Sequence, residues 1–455
     1  MTIAPEEVGT FVSIGTGEID RTIFSDAELF ELEMEHIFGR GWLFLCHESQ
    51  IPKVGDFFES VMGRDNVLVV RQKDKTIKAL LNTCSHRGNA VCRAEEGNTK
   101  NFMCTYHGWT YDLAGNLVGV PGLTEYYRDE LELAAHGLRP VTQVDSHHGF
   151  IFGTHDADAP PLHDFLAETG RHGLDILALQ GDIEVVPGIQ KFVIPCNWKF
   201  AVDNLLDWYH AQITHMSAIT SGAMGPPPTE FLSESGVRTP DGEKVDVVGA
   251  PGSDRRDSMV FLDTYGHAQA SPLIEEFAKF TPGVEQMMAW RTEPHAQEAL
   301  GAQGARVVGH TSIFPTLWIS GPSNQVCLRI PRGVNETEIW WFTFADKNWP
   351  DEIRQMVVFM GNHIFGPAGV LEQEDGENWA QSTLQTRGLA SRRIPQLLKM
   401  NLGHGQVIRD GQSPPRIECT TSEHGQLWTY HAWQQWISGA SWSQLRDSTT
   451  PPDTI

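Results

Sequence analysis

The sequence has no apolar run approaching the roughly 20 residues that cross a bilayer, so no membrane span is expected. Its first residues, Met-Thr-Ile-Ala-Pro-Glu-Glu, lack both the basic start and the apolar segment of an export signal, and a cytoplasmic location is expected. Basic residues are scarce. Lys and Arg total 34 against 58 Asp and Glu, a net charge of -24 that repels a phosphate backbone and argues against nucleic-acid binding. Cysteine is sparse and odd in number, at seven. Cys46, Cys92, Cys196, Cys327 and Cys419 have no paired spacing, which predicts reduced, mostly buried thiols. There is no internal repeat, no low-complexity tract and no nicotinamide or flavin fingerprint, since Gly15-Thr-Gly17 does not open a strand-turn-helix unit. Any redox chemistry must therefore draw its electrons from another protein.

At 455 residues the chain is long enough for a small and a large domain. Ser25-Asp26-Ala27-Glu28 reads as a capping box, followed by Phe30, Met34, Ile37 and Phe38 on one face of a helix ending near Gly39. From Trp42 the pattern turns to short strands, among them 66–71 and 76–82 around a polar turn, continuing to Phe150-Ile-Phe152. This predicts a β domain over 39–153, with 1–38 and 154–455 forming the larger one. In the remainder a strand at 191–194 leads into a helical stretch around 203–216, and a Gly/Pro/Ser-rich connection follows from Ser221 to Asp257. Strands at 306–314, 324–330 and 336–344 precede a helix over 351–365. Strands and helices in runs indicate an α+β fold with an antiparallel sheet. Trp428, Trp433 and Trp436 are expected to pack a C-terminal helix.

Between Asn82 and Trp109 stand two Cys/His pairs, Cys84-x-His86 and Cys104-x2-His107, each followed by a glycine that permits a tight turn, Gly88 and Gly108. Two thiolates and two imidazoles suit tetrahedral zinc or a [2Fe-2S] cluster of Rieske type, with both cysteines on one iron and both histidines on the other. Zinc would make this a structural site in a binding module without catalysis. Around the pairs, from Arg71 to Lys100, basic residues exceed acidic ones by four, either a solvated hairpin or a docking face for an acidic partner.

These motifs, with the trailing Gly108-Trp109-x-Tyr111-x3-Gly115, resemble the Rieske domain of the large (alpha) subunit of aromatic-ring-hydroxylating oxygenases. The resemblance implies a Rieske domain set into a helix-grip catalytic domain, and it requires a mononuclear Fe(II) site further along. Asp207-Trp-Tyr-His210-Ala-Gln-Ile-Thr-His215 offers one. The histidines, five apart, would point about 140° apart on a regular helix, so sharing a metal requires the helix to be wide, broken or ended between them. Asp207 is either a ligand or a carboxylate behind an imidazole. For the carboxylate of a 2-His-1-carboxylate site, the resemblance selects Asp375 from an acidic run that also holds Glu372, Glu374 and Glu377. It also implies that Asp207 bridges a Rieske histidine of one subunit to an iron-ligating histidine of its neighbour, which makes a trimer functional.

The activity implied is that of a terminal oxygenase component. Electrons from NAD(P)H pass through a reductase and a ferredoxin, and both atoms of O2 enter an aromatic hydrocarbon to give a cis-dihydrodiol. A small beta subunit in an α3β3 hexamer is implied as well. The pocket would be lined by Asn204, Leu205, Trp208 and Ala211, and opposite them by Leu371. The Asp375 segment is similar to the biphenyl, toluene and polycyclic-hydrocarbon branch. Two features depart from it: the stretch from Asp203 to Asp207 is one residue tighter than in many members, and Leu371 stands where an aromatic residue is often found. The alternatives are a Rieske monooxygenase and a hydroxylase of an aromatic acid such as salicylate, which a lone basic residue in the pocket would favour.

Overall fold

The computed structural model describes residues 9–221, 257–278, 283–419 and 421–455. Apart from its two end residues, the long connection expected from Ser221 to Asp257 lies outside them. The chain divides into two compact units, 38–162 and 1–37 with 163–455.

The unit 38–162 is built of antiparallel strands. Asp65–Arg71 pairs with Asp56–Met62 on one side and Ile77–Leu81 on the other. The hairpin between Asp65–Arg71 and Ile77–Leu81 closes with Gln72 N–H donating to the Thr76 carbonyl at 2.8 Å, while Lys75 takes a φ of 70° to make the turn. A second small sheet joins Asn101–Met103, Thr110–Asp112 and Leu117–Gly119. Phe57, Leu68, Val70, Leu80, Phe102, Trp109 and Tyr111 form one core between these strands, and Cys84 and Cys104 belong to it.

The other unit holds a nine-stranded sheet whose pairings are all antiparallel. Its two longest strands, Gln325–Gly333 and Glu336–Asp346, lie side by side. Helices Asp351–Ile364, Val370–Thr386 and His424–Ile437 accompany the sheet, an α+β arrangement as the runs of strands and helices predict. Trp428, Trp433 and Trp436 are fully buried, and each indole N–H is satisfied, by the Asp263 carbonyl, Glu33 Oε1 and the Tyr265 carbonyl respectively. Glu33 also accepts from Trp198 Nε1 at 2.7 Å and from Lys199 Nζ at 2.5 Å, so a buried ion pair is tied into the aromatic core. Among the described residues no helix is long and apolar enough to cross a membrane. All seven cysteines are free.

Two local expectations are corrected. The first helix is capped by Asp26, not Ser25: Asp26 accepts from the amides of Glu28 and Leu29, whereas the Ser25 hydroxyl donates to the Thr386 carbonyl. That helix runs Ala27–Glu33 and finishes in a π-helical turn, Met34–Phe38. The strand expected from Arg306 starts only at His310, because Gly304–Arg306 forms a 3-10 turn first.

Candidate metal centres

The two Cys/His loops are built alike. In each, the cysteine amide donates to a carbonyl five residues on (Asn89 and Trp109, both 2.8 Å), and the following glycine amide returns to the cysteine carbonyl at 2.9 Å. Gly88 and Gly108 both sit at φ 74°, the left-handed region that a side chain would strain. The loop tips bring His86 Nδ1 and His107 Nδ1 to 3.1 Å of one another. Trp109 stacks on His86 with 4.8 Å between ring centres and 7° between planes, and so fixes the plane of that ring.

The sulfurs are supplied with donors. Tyr111 Oη lies 3.2 Å from Cys84 Sγ, and Asn89 Nδ2 donates to Cys104 Sγ at 3.6 Å. Burial alone would raise the Cys104 pKa, but the Tyr106 amide, Asn89 and Cys84 outweigh it and hold the thiol below its usual range. Burial, His107 and Arg87 lower the His86 pKa, which favours a neutral ring. Two thiols, of which Cys104 is inclined to ionise, and two imidazoles presenting the same nitrogen suit a cluster with sulfur ligands on one iron and nitrogen ligands on the other.

The second group forms where a helix fails to continue. Trp198–Asp203 starts from Asn197, whose side chain accepts from the Lys199 amide, and the chain tightens over Asn204–Leu206 and becomes extended at Asp207. A four-residue helix follows, Ala211–Thr214, with His210 at its start and His215 at its end, and then a second short one, Met216–Thr220. The helical stretch expected around 203–216 is thus broken at Asp207, ahead of both histidines, whose rings lie 5.3 Å apart between centres across the short helix that joins them. The partner segment is the helix Val370–Thr386. It approaches the strand Gln190–Ile194 so closely that a Cβ on Gly376 would meet Ile194 Cδ1 at 3.1 Å. The Asn197 amide donates to Thr383 Oγ1 on that helix at 2.9 Å, tying the two segments together.

His210, His215 and Asp375 converge there and could hold a metal ion, with one donor atom from each within 4.8 Å of the others. Asp375 Oδ1 is 3.3 Å from His210 Nε2 and 3.4 Å from His215 Nε2, yet it is buried without a hydrogen bond. The opposite nitrogen of each ring faces another carboxylate. His210 Nδ1 lies 3.4 Å from Asp207 Oδ2, and His215 Nδ1 lies 2.9 Å from Glu374 Oε2. A proton held on each Nδ1 leaves both Nε2 lone pairs aimed at the same point as Asp375 Oδ1. Burial opposes charge on His210, but Asp207 and Asp375 push its pKa up to about 10. A site that draws a proton so strongly is one in which a cation fits.

Residues 41–137 match the Rieske [2Fe-2S] domain family, and residues 166–438 match the ring hydroxylating alpha subunit (catalytic domain) family. The chain is 36% identical over 458 residues to the biphenyl dioxygenase alpha subunit of Paraburkholderia xenovorans (strain LB400), covering 97% of this chain and 95% of that one. It is 35% identical to the benzene 1,2-dioxygenase alpha subunit of Pseudomonas putida over the same shares. Its structure superposes on naphthalene 1,2-dioxygenase with indole bound, at a TM-score of 0.82, 28% identity and 96% of both chains. The chain belongs to the ring-hydroxylating oxygenase alpha subunits. It is an oxidoreductase of the dioxygenase type, and its cofactors are a Rieske [2Fe-2S] cluster and a mononuclear non-heme iron.

For this alpha subunit the sequence motifs meet as two groups: Cys84, His86, Cys104 and His107 in one unit, and Asp207, His210, His215 and Asp375 in the other. Asp207 is close to His210 for a different reason than helical spacing. It lies outside the helix, at φ -94° and ψ 105°, and its Oδ1 accepts from the amides of Tyr209 and His210. Leu205, Trp208 and Leu371 share one apolar cluster with Trp318, Trp341, Phe365 and Trp379. Asn204 and Ala211 are half-buried and lie outside that cluster. The sequence reading missed the role of Glu374, treated only as a rival to Asp375. On a helix the two acids point about 100° apart, and that signal separates a carboxylate facing the metal from one behind a ligand. Also missed were Tyr111 and Asn89 as donors to sulfur, which no spacing rule reveals.

Proposed function

We propose that this alpha subunit is the terminal oxygenase of a multicomponent system that adds both atoms of O2 to an aromatic hydrocarbon skeleton, giving a cis-dihydrodiol. The observation that carries the reading is the convergence of two imidazole Nε2 atoms on one unpaired carboxylate oxygen of Asp375, with Asp207 and Glu374 behind the rings. Cys84, His86, Cys104 and His107 would hold the cluster, and His210, His215 and Asp375 the iron. When bound, the cluster supplies single electrons and the iron supplies oxygen activation.

The chain's own residues position and exclude. Glu374 holds a proton on His215 Nδ1 through a 2.9 Å hydrogen bond, and Asp207, 3.4 Å from His210 Nδ1, favours one there by its charge. Three protein ligands would leave the iron open to dioxygen, and Leu205, Trp208, Leu371 and Trp318, which share one apolar cluster, would supply the wall for an aromatic ring. These side chains exclude water and hold a flat ring by its faces. The Trp208 indole donates to the Ala270 carbonyl at 2.7 Å, which fixes its orientation in that wall.

Reducing equivalents would come from NAD(P)H through a reductase and a ferredoxin that docks on the basic surround of the cluster. Asp207, partly exposed, would accept a hydrogen bond from a Rieske histidine of a neighbouring copy. Its exposed neighbours Tyr209 and Ile213, and exposed Met103 and Tyr106 beside the Cys/His loops, are apolar surfaces suited to such a contact. With a beta subunit, three copies would form an α3β3 hexamer. The test is turnover under labelled dioxygen with ferredoxin and reductase supplied. Two labelled atoms in one dihydrodiol support the reading; a single labelled atom identifies a monooxygenase.

A further inference from the structure

Arg329 is the unexplained charge of the catalytic unit. It stands on the strand Gln325–Gly333, is 1% exposed, and lies among apolar side chains. Its guanidinium carbon is 4.7 Å from the centre of the Trp318 ring and 5.6 Å from that of Trp379. Yet Nε and Nη1 have no hydrogen-bond partner, and among the described residues no carboxylate lies within 4.0 Å. The indole nitrogens of Trp318 and Trp379 are likewise buried and unpartnered. Glu372, on the neighbouring helix, gives one oxygen to Trp341 Nε1 at 3.0 Å and leaves the other unpartnered. Burial pushes its carboxyl up to about 8 despite the nearby Arg329, with which it forms no ion pair within 4.0 Å.

Buried polar groups are normally satisfied, and a buried guanidinium most of all. Here N–H donors on three neighbouring side chains await an acceptor. Their place in the fold says which one. Trp379 is one helical turn beyond Asp375, and Leu371 is one turn before it, on the face turned to the sheet. On the other side Trp318 touches His310, and His310 touches Trp208, two residues from His210. The unpaired donors therefore lie on the order of 10 Å from the His210, His215 and Asp375 group, judged from one turn of helix and one ring contact. A planar, forked cation at that distance matches a carboxylate on the far side of one or two aromatic rings.

We infer that the substrate of this site carries a carboxylate remote from the ring that is oxidised, and that Arg329, with the indoles of Trp318 and Trp379, binds it. The inference rests on the oxygenase reading and narrows its substrate to an aromatic acid. The test compares 2-naphthoate and biphenyl-4-carboxylate, each with its primary amide, by quenching of tryptophan fluorescence in the holoenzyme. The wild-type protein is expected to bind each acid about 10-fold or more tighter than the amide, the value of charge-assisted hydrogen bonds. In Arg329→Gln the preference should fall to within about two-fold, and Arg329→Lys should keep part of it. Equal binding of acid and amide by wild type overturns the inference without any variant, and so does a preference that survives in Arg329→Gln. Arg329 would then be a structural partner of Glu372 or of ordered water. A carboxylate preference in a protein that incorporates no labelled oxygen would instead contradict the oxygenase reading and leave Arg329's role standing.

Discussion

Glu374 Oε2 lies 2.9 Å from His215 Nδ1, and its other oxygen accepts from the Ser217 hydroxyl. With Asp207 behind His210, each histidine of the candidate iron site has its own carboxylate, supplied from a different segment of the chain. Removing the charge while keeping the shape, Glu374→Gln, is expected to weaken iron binding by about 10- to 100-fold and leave the cluster intact. Competition with a chelator of known affinity measures the first, and the visible spectrum the second. Unchanged iron affinity would reduce Glu374 to a surface hydrogen bond.

Asp207 lies behind His210 as Glu374 lies behind His215, and its proposed further role is to link the iron site to the cluster of a neighbouring copy. Asp207→Ala is expected to leave both metal sites filled and to slow cluster reoxidation by about 10- to 100-fold when substrate and O2 are added to the reduced protein. Stopped-flow absorbance follows that step. If the variant loses its mononuclear iron instead, Asp207 is a ligand.

Asp203 yields a pH prediction. The Tyr430 hydroxyl donates to it at 2.5 Å, and burial first, then Asp207 and Glu423, push its carboxyl up to about 7. An unfolded aspartate titrates near 4, so between about pH 4 and 7 the folded chain holds a proton that the unfolded chain has released. Stability from this group is full below about pH 4 and is lost as pH rises through 7. Asp203→Asn should flatten that part of the curve of urea stability against pH.

Lys73, Lys75 and Lys78 are exposed on and beside the turn that joins the strands Asp65–Arg71 and Ile77–Leu81. Reversing their charge should slow reduction of the cluster by ferredoxin, most at low salt, and spare reduction by a small chemical donor. Equal slowing of both donors, or of neither, would place the docking face elsewhere.

What was legible in the sequence was what is local in it. Cys84, His86, Cys104 and His107 lie on two turns, each closed by its own glycine, so spacing alone exposes the motif. The five-residue spacing of His210 and His215 called for a helix that is wide, broken or ended between them; the structure has a short helix between them that ends at His215, and the break in the expected helix falls earlier, at Asp207. Long-range placement was not legible. Glu374 and Asp375 are adjacent in sequence, and only the docking of their helix decides which one meets both rings. Arg329 looks like any strand residue in Leu-Arg-Ile-Pro-Arg until the sheet sets it against Trp318 and Trp379. The first cap was misplaced by one residue because Ser25 and Asp26 both accept well, and the neighbouring Thr386 carbonyl claims Ser25.

The most direct measurement is iron and acid-labile sulfide per chain, on anaerobically purified wild-type protein and Asp375→Ala. Two separate centres predict about three irons and two sulfides in the wild type, falling to about two and two in the variant with the Rieske spectrum unchanged. A variant that keeps its third iron would contradict the assignment of Asp375, and zinc without sulfide in the wild type would contradict the account as a whole.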